Sequence, residues 1–556
     1  MTLRLLTVFA LVLPACLGFS QSPALSLEAP SAVGPGKTTS VIFTGENLAG
    51  ATELWTSFPA KAVIDTNSNE SGKATIRFTL GKEVPAGIGA VRLVTTNGVS
   101  SLHLLMIDDL PSVVGSDTNK SVATAQLLKL PVAVDGRTDE LGFDYFKFTA
   151  KKGQRISVEV IANRFGSPLD PVVRLLNAQG KELVYCDDDP SLAADSRFAY
   201  KIPAAGQYFI ELRDVAYQGG AKFRYRMRVG NFPLASSPFP LGVRRGAQTK
   251  IMFVGPSVER VRPIDLRVPE DATRVPLAVK FSGGQGSGFV TLATSELPEL
   301  AEIEPNDEPE SATKILVPSV INGRFAKPKD RDYYEFEASK DQRLVFSGKT
   351  RSLGSPCDLF MRLFKTDGTQ VAEANIDGAN EGTITNTFKA AGIYRLLVEE
   401  LNRSGALDFA YRVEIEHYEP GFTLSVETDK VEAASGGTFE IKVTAARREF
   451  DGPITLSLDG LGAGIAEENN TIPEKKNETT LKARLPARFE PGHMENFKIV
   501  GKAKVGDADF EATASTMPAL KKLFPLLRYP PVELDGLVAL GTKSSAPNAD
   551  KTSGRE

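Results

Sequence analysis

The chain has few of the residues that form cross-links and catalytic centres. Its 556 residues include three cysteines, three histidines and one tryptophan. Cys16 lies near the N-terminus, whereas Cys186 and Cys357 lie in different modules, at non-equivalent positions of the repeat described below. We therefore expect buried free thiols rather than a disulfide. The stability of the protein must then come from its apolar cores.

The scarcity of histidine restricts the enzyme classes that fit this chain. A Ser-His-Asp centre needs a histidine between a nucleophile and a carboxylate, but His103 lies in a strand-like run, His417 in a linker and His493 in a turn. The H-E-x-x-H and G-x-S-x-G motifs, the P-loop and the dinucleotide-binding glycine pattern are absent from the sequence. Paired carboxylates for glycoside hydrolysis stay open, because they need not be close in sequence. Since the β modules leave no domain-sized region, we predict that the chain is not an enzyme.

Charge and hydropathy exclude two further classes. The formal net charge is −4 and the pI is near 5.8, so we expect no nucleic-acid binding through a basic field. Residues 5–13 are apolar but too short to span a bilayer, and no later run is long enough, so no transmembrane span is predicted.

The N-terminal residues indicate export. Gly18, Phe19 and Ser20 follow the apolar run as a small-x-small cleavage site, which predicts a signal peptide over residues 1–20. The protein is then extracytoplasmic, either secreted or periplasmic. The alternative is a lipoprotein acylated on Cys16, although the proline two residues earlier fits a lipobox poorly.

An internal repeat organises the middle of the chain. Residues 143–149 (FDYFKFT) match residues 331–337 (RDYYEFE), and residues 166–183 match residues 354–371, both of which begin with GSP. Apolar and polar residues alternate in each copy, and glycine-containing turns separate the alternating runs. This pattern therefore predicts that each copy of ~115 residues forms a β-sandwich of about eight short strands.

The whole chain is predicted to be all-β, a tandem array of jelly-roll-like and immunoglobulin-like β-sandwich domains. Its length fits about three to five domains. We predict, in order, a signal peptide (1–20), an immunoglobulin-like β domain (21–112), a first repeat (113–232), a small connecting β domain (233–300), a second repeat (301–418), an immunoglobulin-like β-sandwich (419–515) and an irregular tail (516–556). The tail contains five prolines and ends in a polar run, a composition that does not fold alone.

Short motifs identify the repeat. The second copy has Glu304-Pro305-Asn306-Asp307 at its entrance, DYYEF at 332–336 and AGIY at 391–394. These motifs resemble the bacterial pre-peptidase C-terminal (PPC) domain, which accompanies secreted peptidases and includes the collagen-binding modules of clostridial collagenases. The first copy keeps the sandwich signature, but its entrance reads GSDTN at 115–119. Separately, VIFTGENL at 41–48 resembles immunoglobulin-like IPT/TIG modules.

The resemblance implies a calcium site in the second copy. In calcium-binding members, the acidic entrance folds over the sandwich and supplies ligands together with aspartates of the first strand region. The matching positions are Glu302, Glu304, Asn306, Asp307, Asp330 and Asp332. Five carboxylates and one amide suit Ca²⁺, which takes six to eight oxygens. The alternative is a solvated acidic face beside a linker.

A second acidic cluster, residues 187–189, lies in a predicted loop of the first copy. We expect it to be solvated, with a weak metal site as the alternative.

Three functions fit these features. We expect a binding or adhesion protein that presents tandem sandwiches to an extracellular protein or polysaccharide. The first alternative is an accessory or targeting component that serves a secreted hydrolase of a peptidase system. The second is a peptidase-related enzyme with an unrecognised site.

Overall fold

A computed structural model describes residues 21–374 and 381–545; the predicted signal peptide and Cys16 lie outside the described residues. The fold is all-β, as predicted, with the strands arranged in many separate sheets. Cys186 and Cys357 are free thiols, and Cys357 is the fully buried one. No helix within the described ranges is both long and apolar enough to cross a membrane.

The first nine strands form two sheets around one apolar core. They are β1 (Ala24–Ala29), β2 (Ala32–Val33), β3 (Thr38–Glu46), β4 (Ala51–Thr56), β5 (Lys61–Ile64), β6 (Lys73–Thr79), β7 (Gly87–Thr95), β8 (Gly98–Val99) and β9 (His103–Ile107). The sheet orders are β1-β3-β6-β5 and β2-β9-β7-β4, with β8 paired to β7. Alternate residues such as Val41 and Phe43 point into the core, which explains the period-2 pattern of the sequence.

The first repeat contains two five-stranded sheets. Its strands are β10 (Ser112–Val114), β11 (Gln126–Leu127), β12 (Val132–Arg137), β13 (Asp144–Ala150), β14 (Arg155–Ile161), β15 (Pro171–Asn177), β16 (Glu182–Cys186), β17 (Arg197–Lys201), β18 (Gly206–Asp214) and β19 (Arg224–Gly230). The orders are β10-β12-β19-β14-β17 and β11-β13-β18-β15-β16. One core between the sheets includes Phe146, Val158 and Ile210.

Six strands follow in two three-stranded sheets. They are β20 (Ser237–Phe239), β21 (Gly242–Arg244), β22 (Gln248–Val254), β23 (Ile264–Arg267), β24 (Arg274–Val279) and β25 (Gly288–Ser295). The orders are β20-β22-β23 and β21-β25-β24, around a small core that includes Ile251 and Leu292.

The second repeat has the same strand order as the first. Its strands are β26 (Glu299–Ala301), β27 (Thr313–Lys314), β28 (Ser319–Arg324), β29 (Arg331–Ala338), β30 (Arg343–Lys349), β31 (Leu359–Lys365), β32 (Gln370–Glu373), β33 (Thr383–Thr387), β34 (Gly392–Glu400) and β35 (Ala410–His417). The orders are β26-β28-β35-β30-β33 and β27-β29-β34-β31-β32, which match the first repeat position by position.

The last ten strands form one sheet system. They are β36 (Gly421–Val426), β37 (Lys430–Ala434), β38 (Thr438–Arg448), β39 (Ile454–Asp459), β40 (Ala466–Glu468), β41 (Thr471–Ile472), β42 (Glu478–Arg484), β43 (His493–Val505), β44 (Ala508–Ser515) and β45 (Val538–Lys543). Eight follow the order β37-β45-β43-β44-β36-β38-β42-β40, and β39 pairs with β41 and β43.

The prediction of an irregular tail was wrong for residues 516–545. This segment contains the helix α1 (Met517–Leu523) and strand β45, which pairs with β37 and β43. Leu520, Phe524 and Leu534 are buried against side chains of the first sandwich and the first repeat. The segment is rich in apolar residues, and surfaces from elsewhere in the chain cover several of them. Residues 546–556 lie outside the described part.

The first and last sandwiches are in contact, so the array folds back on itself. Arg92, which is only 2% exposed, donates to Asp429 Oδ2 at 2.6 Å. The backbone N–H of Val99 donates to Glu432 Oε1 at 3.0 Å, and that of Ser544 donates to the Thr96 carbonyl at 2.7 Å. The first and last sandwiches therefore share an interface.

Candidate metal centre

The structure brings three of the six predicted ligands into one oxygen cluster. Glu304 lies in the entrance segment after β26, whereas Asp330 and Asp332 lie just before and within β29. One carboxylate oxygen from each of the three lies within 4.8 Å of the others. Two oxygens that each bind Ca²⁺ at ~2.3–2.6 Å are no more than ~5 Å apart. The spacing therefore suits a shared cation.

Asn306 extends the cluster. Its side chain is fully buried, and its amide faces the carboxylates of Glu304 and Asp332. With the nitrogen turned inward, it donates to Glu304 Oε2 at 2.9 Å and to Asp332 Oδ1 at 3.1 Å. With the oxygen turned inward, the amide would add one more oxygen to the cluster, an orientation that a cation favours.

Buried hydrogen bonds orient the two aspartates. The Tyr411 hydroxyl donates to Asp332 Oδ2 at 2.5 Å, and Tyr334 lies 2.6 Å from the Tyr411 oxygen. The backbone N–H of Ala326 donates to Asp330 Oδ2 at 2.8 Å, which leaves Oδ1 as a buried oxygen without a hydrogen bond among the described residues. Each aspartate thus has its Oδ2 fixed by the fold, whereas Oδ1 contacts the Asn306 amide in Asp332 and lies 3.6 Å from Lys327 Nζ in Asp330.

The remaining two predicted ligands lie at the edge of the cluster. The backbone N–H of Arg324 donates to Glu302 Oε2 at 2.8 Å. Asp307 pairs with Lys327 at 2.9 Å, and Lys327 Nζ lies 3.6 Å from Asp330 Oδ1. Lys327 therefore compensates the outer side of the cluster.

Burial and the crowding of carboxylates shift the pKa values of the site. Burial, together with the charge of Glu302, raises the pKa of Asp332 to about 9. Burial and the nearby Glu304 carboxylate raise the pKa of Glu302 to about 7. Burial also raises the pKa of Asp330, whereas the hydrogen bond with Lys327 lowers the pKa of Asp307. Such a site holds protons when no cation is present.

The first repeat has a lysine at this site. The Tyr145 N–H donates to the Asn119 carbonyl as the Tyr333 N–H donates to that of Asn306, so Asn119 and Asn306 are equivalent. Lys120 is thus the counterpart of Asp307, and sequence comparison of the entrance motifs alone did not reveal its role. Its ammonium donates to Asp144 Oδ1, the oxygen that the Tyr225 hydroxyl does not contact.

The rim ion pair has opposite polarity in the two repeats. Lys120 pairs with Asp139 at 2.9 Å, and Asp307 pairs with Lys327 at the same distance. Asp139 and Lys327 are equivalent, because their carbonyls accept the same turn hydrogen bond. The Asp139 carbonyl accepts from the Gly142 N–H, and the Lys327 carbonyl accepts from the Asp330 N–H. The first repeat therefore also has a glycine where the second has Asp330.

The acidic loop at 187–189 is only partly solvated. Asp189 is buried and pairs with Arg197 at 2.7 Å, an ion pair that the sequence did not indicate. Asp187 and Asp188 lie near Asp170, and burial together with Asp188 raises the pKa of Asp170 to about 6. The expectation of a wholly solvated cluster was therefore wrong for Asp189.

Two of the three histidines contact carboxylates. His103 Nε2 lies 2.5 Å from Glu28 Oε2 in a buried site, and Glu28 also pairs with Arg224. His493 Nδ1 lies 3.0 Å from Glu53 Oε2 at an exposed position, and His417 is exposed at the end of β35. Among the described residues, no histidine is hydrogen-bonded to a serine or a cysteine.

Comparisons with known proteins give partial similarities. A probable subtilase-type serine protease of Deinococcus radiodurans is 34% identical over 113 residues, which are 19% of this chain and 15% of the protease. The chain thus covers a small part of that relative. The pre-peptidase C-terminal domain of a Bacillus anthracis collagenase is a similar solved structure, with 19% identity and a TM-score of 0.17; the match covers 20% of this chain and 100% of that chain. A second is the M60 catalytic domain with two CBM51 domains of Clostridium perfringens ZmpB, with 11% identity and a TM-score of 0.14; this match covers 71% of this chain and 46% of that chain.

The family similarity itself lies in the first repeat rather than at the acidic entrance of the second. Residues 142–214 match the family model of the bacterial pre-peptidase C-terminal domain.

Proposed function

We propose that this chain is an extracytoplasmic, non-catalytic binding protein whose two repeats present loops to an extracellular protein or polysaccharide. The observation that carries the proposal is the shared strand order of two sandwiches, one of which matches a peptidase-associated domain family. In a β-sandwich the strand residues pack the core and the loops remain exposed, so the proposed binding residues lie on the loops.

The second repeat belongs to the same family in this proposal. Support comes from one hydrogen bond repeated at equivalent positions. Tyr225 donates to Asp144 Oδ2 at 2.6 Å in the first repeat, and Tyr411 donates to Asp332 Oδ2 in the second. A glycine faces each tyrosine hydroxyl, because a Cβ at Gly136 or Gly323 would come within 2.4 Å of that oxygen.

Calcium is the proposed structural ion of the second repeat. Glu304, Asp330 and Asp332 would hold it, with the Asn306 amide oxygen and Glu302 beside them. A divalent cation there would neutralise carboxylates whose pKa values are raised by burial and by mutual repulsion. Its role would be to fix the entrance segment to β29, because the ligands come from both.

Affinity capture tests this function. The full chain, immobilised in calcium buffer, should retain an extracellular protein or polysaccharide from culture medium or cell envelope, and EGTA should reduce retention if the second repeat makes the contact. Casein, gelatin and peptide esters should not be hydrolysed. Hydrolysis by the purified chain, or no retention of any polymer, would contradict the proposal.

An accessory role in a peptidase system is the second candidate. It is favoured by the 113-residue similarity to the Deinococcus radiodurans protease. In that case the chain should co-purify with a secreted peptidase and increase its rate on an insoluble substrate, but not on a soluble peptide.

A further inference from the structure

A cavity of about 580 Å³ lies at the junction of several modules. Its walls come from the start of β7, from β24 and β25, from the end of β30 and from residues 527–534. Its volume is within the ~300–1,000 Å³ typical of small-molecule sites. The cavity is far along the chain from the acidic entrance and shares no residue with the metal centre.

The walls are mainly apolar and leave room for a ligand. Phe58, Ile88 and Phe289 line the cavity together with several prolines. Gly87 lies on the same wall, and a Cβ added there would meet no atom within 4 Å. The missing side chain at Gly87 therefore helps to keep the space open.

Three cationic side chains of the lining have no ion pair or hydrogen bond within the described part of the chain. They are Arg274, Lys349 and Lys521. Arg274 is half-buried, and burial lowers the pKa of its guanidinium. By contrast, Arg164 in the same lining is paired with Glu159 and Asp195. A half-buried guanidinium without a partner favours an anion beside it.

Glu533 and Glu381 act on Arg274 through their charge, but neither forms an ion pair with it among the described residues. The carboxylate of Glu381 accepts hydrogen bonds from Thr350 and Ser352 of its own repeat. Glu533 is exposed, and it is not within ion-pair distance of Arg274.

Tyr529 adds an unused donor. Its hydroxyl oxygen is buried and has no hydrogen-bond partner among the described residues. Buried hydroxyl groups in folded proteins nearly always have a partner. Tyr529 is also one of the lining residues, so this buried donor lies beside the cavity.

We propose that this cavity binds a small amphipathic anion, with its acidic group at Arg274 and Tyr529 and its apolar body against Phe58 and Phe289. A carboxylate or sulfonate accepts from both donors, and Lys349 and Lys521 add positive charge. An apolar body of one or two rings, or a short alkyl chain, matches the walls.

The test uses the full chain and 1-naphthoate as the probe, followed by calorimetry and naphthyl fluorescence. Naphthoate should bind with one-to-one stoichiometry. 1-Naphthalenemethanol and 1-naphthylmethylammonium have the same ring system without the negative charge, and they should bind at least about tenfold more weakly, because a charge-assisted hydrogen bond is lost.

Variants locate the site. Arg274→Gln should weaken naphthoate binding about tenfold or more, whereas Arg267→Gln, an exposed arginine of the same small domain, should leave it unchanged. Gly87→Leu should abolish binding by filling the cavity. Gly206→Leu is the matched control, since a Cβ at this exposed glycine also meets nothing within 4 Å.

Melting curves of each variant separate loss of the site from loss of the fold. If Gly87→Leu does not fold, the naphthoate affinities of Arg274→Gln and Tyr529→Phe still test the proposal. Three results would overturn the proposal. They are the absence of saturable naphthoate binding, equal binding of the cationic probe, and naphthoate binding that neither Arg274→Gln nor a folded Gly87→Leu reduces.

Discussion

The ammonium of Lys120 donates to the buried carboxylate of Asp144 at 2.6 Å in the first repeat. The equivalent carboxylate of the second repeat, Asp332, faces other acidic side chains instead. One repeat thus contains its own cation at this site, and the other combines the same fold with an excess of negative charge.

Calcium should stabilise the second repeat. For an isolated 301–418 module, calcium at 100 times Kd would add about 2.7 kcal/mol and raise Tm by roughly 5–10 °C. EGTA should abolish the shift, and Glu304→Ala or Asp332→Ala should reduce it. Differential scanning calorimetry measures it. The 113–232 module is the control and should hardly respond; equal shifts in both modules, or none in the second, would contradict the site.

The same contrast is testable in the full chain. Calorimetric titration should detect calcium binding that is lost in Asp332→Asn and kept in Asp144→Asn, the equivalent change in the first repeat. Loss of binding in both variants would place the ion elsewhere.

Without calcium, the second repeat should lose stability as the pH rises. A carboxyl whose pKa is raised by folding contributes fully below its unfolded value, near 4, and this contribution disappears as the pH passes the folded values. Those values are about 7 for Glu302 and about 9 for Asp332. Each proton changes the unfolding free energy by about 1.4 kcal/mol per pH unit.

Melting temperatures at pH 5, 7 and 9 in EGTA measure this effect. Asp332→Asn should flatten the profile above pH 7, and calcium should flatten it in the unchanged protein because the ion replaces the protons. A profile that Asp332→Asn leaves as steep as before would assign the pH dependence to other groups.

Removal of the internal cation should destabilise the first repeat. In Lys120→Met, the Tyr225 hydroxyl is the remaining side-chain partner of the buried Asp144 carboxylate. We therefore expect the unfolding free energy to fall by about 1–3 kcal/mol. The loss is smaller than for a fully buried ion pair because Lys120 is partly exposed. Urea unfolding of the 113–232 module measures it. Lys152→Met, in an exposed turn, should have little effect.

The purified chain should show no turnover on casein, gelatin or peptide esters. His103 is bonded to the buried carboxylate of Glu28, which is a structural pairing rather than a nucleophile contact. An activity that disappears in His417→Ala or His493→Ala would contradict this prediction. Both residues are exposed, so neither substitution should change the fold.

The sequence pattern was sufficient to predict the features that depend on residues close together in the chain. Alternation of apolar and polar residues predicted the strands, because successive side chains of a strand point to opposite faces. The repeated GSP segments also predicted two similar sandwiches, and the two share one strand order. The acidic entrance indicated Glu304, Asp330 and Asp332 through the family resemblance.

The sequence by itself determined the all-β class and the residue types available at the acidic site. Only the tertiary structure decided which of them meet: it brought Lys120 onto Asp144, packed Leu520 and Phe524 of the tail under another module, and placed Arg274 in a cavity with Tyr529. These contacts join segments far apart in the chain. Their strength depends on burial and distance, two quantities that residue order does not contain.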